Sequence, residues 1–116
     1  MDPVARHQAL FNEGVRSGDF GPWLDTFDDD TVVTFEGLPI GPLHGRYAVA
    51  KVYAEHPPSS PMRVVESSID GNLATGRFVW ADAPETGGVF VLTLRTDRLA
   101  AMRVTLDAPP PPPRVV

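Results

Sequence analysis

An α+β domain, built as a curved sheet wrapped around three N-terminal helices with an internal pocket, is the fold class that the sequence predicts. Three observations carry it. Helix punctuation and apolar residues at helical spacing dominate the first part of the chain, residues 2–27. A single strand, a Gly/Pro loop and a third helix follow, and then β-rich runs separated by turns. Helices first and antiparallel strands after give a mixed or antiparallel sheet with its helices gathered on one face. When strongly curved, such a sheet makes a cone.

Asp2 before Pro3 predicts a helix start, an N-cap acceptor with proline at the first helical position. Leu10, Phe11, Gly14 and Val15 recur at helical spacing, with Arg6, Asn12, Glu13 and Arg16 on the wetter side and His7 read as exposed. Gly18 stops this helix. Asp19 is expected to cap a shorter second helix whose apolar residues are Phe20, Trp23, Leu24 and Phe27. Asp28, Asp29 and Asp30 read as a solvated turn into a strand at 31–36. In that strand Val32, Thr34 and Glu36 share one face, taken as inward, and Val33 and Phe35 the other. The loop 37–45 carries two glycines, two prolines and His44; a third helix spans 46–55 and ends at His56-Pro57-Pro58.

Runs 63–69 and 73–80 flank Asp70-Gly71-Asn72, a hairpin signal. A loop at 82–88 precedes the most apolar strand, 89–96, and a turn at 96–98 precedes the last, 99–106. Trp80, Phe78, Gly76 and Ala74 share a face, as do Phe90, Leu92 and Leu94, and Met102, Val104 and Leu106; together they wall the expected pocket. A register shifted by one would instead turn Arg77 inward, toward Glu36. Residues 1–107 form one domain, and the Pro-rich segment 108–116 is expected to be a flexible, polyproline-like tail.

Composition narrows the function classes. The 116 residues carry a net charge of −5, which argues against a nucleic-acid partner. No apolar run approaches the roughly 20 residues that span a membrane, and the N-terminus lacks a basic-then-apolar leader, so a cytoplasmic location is expected. With no cysteine there is no thiolate metal site, and the three histidines are scattered; no metal or other cofactor is expected.

In Ser17-Gly18-Asp19-Phe20, Phe27-Asp28-Asp29-Asp30-Thr31-Val32 and Leu43-His44-Gly45-Arg46 the chain resembles the nuclear-transport-factor-like superfamily, which includes ketosteroid isomerase and the SnoaL-like polyketide cyclases. The resemblance implies a cystatin-like roll and a homodimer formed through the outer sheet face. It does not imply the isomerase reaction. Thr34 stands where the resemblance expects the general base, while Phe11 and Leu92 stand where it expects the oxyanion donors. None of these side chains can do that work. Tyr53 alone matches, as a tyrosine of the supporting hydrogen-bond network.

The site expected from these readings holds a small apolar molecule among Phe11, Thr34, Phe78, Trp80, Phe90, Leu92 and Met102. Glu36 would serve as the acid or base of an isomerisation, cyclisation or epoxide opening, with His44 and Tyr53 orienting the substrate. Two other classes fit the same residues: a ligand carrier without chemistry, and a dimeric protein-interaction module.

Overall fold

The computed structural model describes residues 2–107; the Pro-rich segment read as a tail lies outside the described residues. Helix α1 (Pro3–Ser17) starts where Asp2 and Pro3 place it, the Asp2 carboxylate accepting from the N–H of Val4 at 2.7 Å. It ends at Gly18, whose φ of +80° a side chain would resist. Its buried stripe is Val4, His7, Phe11 and Gly14. Helix α2 (Gly21–Leu24) is a single turn, shorter than expected. Asp19 does accept from the N–H of Gly21 at 2.9 Å, but Phe27 has already left the helix and opens strand β1 (Phe27–Glu36).

The acidic triplet therefore lies within a strand, not in a turn before one. Against its neighbour the register of β1 slips between Phe27 and Val32, so the aspartates sit in a bulge. Asp28 and Asp30 lie 3.3 and 3.4 Å from Arg95, and Asp29 pairs with Arg46. Thr31 closes the bulge, fully buried, and its Oγ1 has no hydrogen-bond partner. Replacing this hydroxyl by a methyl removes an unsatisfied polar atom at constant shape. Thr31→Val should accordingly raise stability by about 1–2 kcal/mol in urea denaturation, and a loss of stability would show that the hydroxyl is satisfied.

The remaining elements are β2 (Leu43–His44), α3 (Arg46–Glu55), β3 (Met62–Asp70), β4 (Leu73–Trp80), β5 (Ala83–Arg95) and β6 (Arg98–Leu106). They complete one open six-stranded sheet in the order β2-β1-β6-β5-β4-β3. The pairing of β1 with β6 is parallel, and every other pairing is antiparallel. Strand β5 begins earlier than expected because Ala83 already pairs with Trp80. Gly87 and Gly88 lie inside the strand, where backbones crowd: a Cβ on Gly87 would stand 2.0 Å from the Phe78 carbonyl oxygen.

Register decides which faces look inward. Phe90 pairs with Val104 and Leu92 with Met102, and on the other side of β6 Met102 pairs with Val33 and Val104 with Phe35. Val33 is fully buried, whereas Glu36 is exposed. The faces of β1 are thus the reverse of those expected: Val33 and Phe35 point inward, Val32, Thr34 and Glu36 outward. Ala74, Gly76, Phe78 and Trp80 take the inner face of β4 as expected. Gly76 makes room there for the Phe90 ring, which would lie 2.4 Å from a Cβ.

Candidate functional site

A cavity of about 560 Å³ lies between the helices and the inner face of the sheet, well within the size range of small-molecule sites. Its deep walls are Phe11, Trp23, Phe78, Phe90 and Met102, all buried. Exposed His56, Pro57, Ser59 and Asp82 mark its mouth, beyond the end of α3 and beside the β4–β5 turn. There the Ser60 hydroxyl accepts from the N–H of Asp82 at 3.2 Å, tying that turn to the loop after α3. Asp82 is the one Asp, Glu, Lys or Arg in the lining.

Of the residues expected at the site, Phe11, Tyr53, Phe78, Trp80, Phe90 and Met102 line this cavity. Leu92 is fully buried on the inner face but does not reach it. Three residues are elsewhere. Glu36 is on the outer face, where its carboxylate lies 3.3 Å from Arg103 Nε with both side chains about half exposed. Thr34 shares that outer face, paired with Arg103. His44 is exposed on the two-residue strand β2, opposite Val32. Arg77 also faces outward, 3.8 Å from Asp107, so the alternative register that would have joined it to Glu36 does not occur.

His7, read from the sequence as exposed, is buried at 4 % exposure and lines the cavity. Its spacing from Val4 and Phe11, three and four residues, places it on the buried stripe of α1, and that periodicity is the signal that could have found it. Its Nδ1 accepts from Trp23 Nε1 at 3.3 Å, and its ring lies 4.7 Å from that of Phe90. Burial lowers its pKa to about 3, so the imidazole is neutral at pH 7. With Nδ1 accepting, the proton belongs on Nε2. Tyr53 packs on the other side of the same indole, 4.7 Å from Trp23 and 5.4 Å from Phe20 between ring centres. Burial pushes its phenol up, which keeps it protonated. The Tyr53 hydroxyl bonds no described residue, yet it is not among the sealed polar atoms and so retains contact with open space.

No family model matches the chain, and no curated protein sequence matches it. Solved structures do. An NTF2-like protein of unknown function from Burkholderia xenovorans superposes with a TM-score of 0.70 over 95% of this chain and 87% of its own, at 17% identity. The chain has an NTF2-like fold. A protein from Sinorhizobium meliloti provisionally assigned as a polyketide cyclase matches with a TM-score of 0.63 at 22% identity, covering 84% of this chain and 92% of its own. A protein from Rhodopseudomonas palustris provisionally assigned as an isomerase matches at 0.69 and 14% identity, over 93% and 91%. At these identities the likeness shows the fold, and the chemistry has to be read from this chain's own side chains.

Those side chains leave the NTF2-like cavity apolar, aromatic and uncharged in its depth. Two donor-bearing side chains line it there, Tyr53 and His7, each packed against aromatic rings. Neither is a proton acceptor of useful strength at neutral pH, since the one is a protonated phenol and the other an imidazole whose pKa lies well below 7. Among the described residues no group of three His, Cys, Asp or Glu is placed to hold a metal ion, and no helix is long and apolar enough to cross a membrane.

Proposed function

We propose that the protein binds a small, neutral, largely apolar molecule in this cavity, with an acceptor oxygen of the ligand directed at the Tyr53 hydroxyl and the His7 Nε2–H. The observation that supports this most directly is the pairing of aromatic walls with donors and no deep charge. Apolar area supplies affinity, and a donor among apolar walls favours a ligand that brings an acceptor over one that leaves the donor unpaired. Glu36, the residue expected to move a proton, points away from the cavity and takes no part in this reading.

A second reading, isomerisation or cyclisation of a carbonyl compound, draws support from the provisional assignments of the Sinorhizobium and Rhodopseudomonas proteins. In it the same two donors polarise the carbonyl, and Asp82 at the mouth is the carboxylate in the lining that could take a proton.

The chain's two tryptophans both line the cavity, so intrinsic fluorescence reports its occupancy directly. Titration with 2-acetylnaphthalene, 2-ethylnaphthalene and 2-naphthoate compares a neutral ketone, its hydrocarbon analogue and an anion. We expect saturable quenching with the ketone bound tightest and the anion weakest. Tyr53→Phe should weaken the ketone about fivefold to tenfold, one hydrogen bond's worth, and leave the hydrocarbon unchanged. Failure of all three probes to saturate the signal would remove the binding reading.

A further inference from the structure

We infer that His7 sets the length of the molecule the cavity accepts, its ring being the partition between this cavity and a second, smaller one; the limit rests on the binding reading given above. The second cavity has a volume of about 140 Å³ and opens beside the β5–β6 turn, where Thr96 and Asp97 form its exposed rim. The mouth of the first lies beside the β4–β5 turn, at the other end of β5.

The two cavities follow one another along the same interior. On α1, Pro3, His7 and Phe11 stand four residues apart and so share a face. Pro3 lines the second cavity, Phe11 the first, and His7 both. On the inner face of β5, Phe90 lines the first and Leu94 the second, while Leu92 between them is fully buried and lines neither. Strand β6 repeats the division, with Met102 in the first wall and Leu99 in the second. His7 is the one residue common to both linings, so the side chain standing between the two spaces is its imidazole.

A partition has to hold its place, and this ring is held. The bond from Trp23 Nε1 fixes one edge, and the Phe90 ring lies 4.7 Å away. Turning the imidazole out of the passage would leave the N–H of Trp23, a residue 1 % exposed, without its acceptor. The inner end of a ligand therefore meets a wall. Each methylene that leaves water for apolar walls adds about fourfold in affinity, so a lengthening chain gains until it reaches His7 and then loses. Beyond the ring the second cavity has room for about four waters, space that a longer chain would fill if the ring were absent.

2-Hexanoylnaphthalene is 2-acetylnaphthalene lengthened by four methylenes, and both bring the same acceptor oxygen. In tryptophan-fluorescence titrations of the full chain, the acetyl compound should bind roughly tenfold tighter or more. His7→Ala removes the ring and opens the passage, so the hexanoyl compound should become its equal or better. The ratio of the two affinities is the readout, because loss of the His7 hydrogen bond weakens both ketones alike. His7→Phe keeps the bulk without that bond and should retain the native preference. Circular dichroism verifies folding, and His7→Val, apolar and shorter than the ring, takes the place of His7→Ala if that variant does not fold. Equal binding of both ketones to the unmodified chain would overturn the partition, as would a ratio unchanged in His7→Ala or relaxed as far in His7→Phe. Lack of saturation by the acetyl compound in the unmodified chain would instead remove the binding reading, and the length limit with it.

Discussion

Acidification from pH 7 to pH 4 should cost the fold about 3 kcal/mol through His7 alone. The imidazole is buried, and burial holds its pKa near 3, against an ordinary value of 6.5. Below pH 6.5 the unfolded chain therefore takes up a proton that the folded chain refuses. The stability associated with the neutral ring is fully present above pH 6.5. It falls by about 1.4 kcal/mol per pH unit below that and levels off once the pH passes the folded pKa. Urea midpoints measured from pH 7 to pH 4 give this slope. His7→Asn keeps an acceptor for Trp23 Nε1 but does not titrate, so its slope should be shallower by about one proton. An identical slope in the variant would assign the acid sensitivity to other groups.

Trp23→Ala should be at least as damaging, at about 3–5 kcal/mol. Trp23 is 1 % exposed and stands at the centre of the aromatic core, with ring contacts to His7, Phe11, Phe20, Phe27 and Tyr53. Truncation leaves a void that five rings cannot close together, and it also orphans the acceptor on His7. For a domain of this size the melting temperature should fall by roughly 15 °C or more. Trp23→Phe should recover most of that, because it restores volume and a ring edge. A loss below about 1 kcal/mol in Trp23→Ala would mean that the core rearranges around the gap, contrary to a tightly packed interior.

Local chemistry made much of this architecture legible in advance. The cap at Asp2, the stop at Gly18 and the turn at Gly71 each depend on residues within a few positions of one another. The inner faces of β4, β5 and β6 follow from plain alternation. What could not be read locally was the parity of β1. Val32 and Val33 are equally apolar, so alternation allows either face, and the choice is made by the parallel pairing with β6 about 70 residues away in sequence. That one ambiguity moved Glu36 and Thr34 from the expected site to the outer face. The position of His7 was legible but masked by its residue type: histidine reads as polar, while its place on the helical stripe reads as core. The mouth of the cavity depends on the loop after α3 meeting the β4–β5 turn, a contact between segments with no periodicity of their own.

The parallel pairing has a consequence for how the chain acquires its shape. β1 emerges among the first elements during synthesis, yet its parallel neighbour β6 is the last of the described strands to follow it. Until β6 has been produced, β1 has only the two-residue β2 beside it, and β3, β4 and β5 form a separate meander. Closure of this ring of dependence joins the two ends of the domain in one late event, the kind of distant pairing that slows folding. During that interval the backbone edge of β1 lacks the partner that β6 will provide, a period of exposure that chaperones are suited to cover.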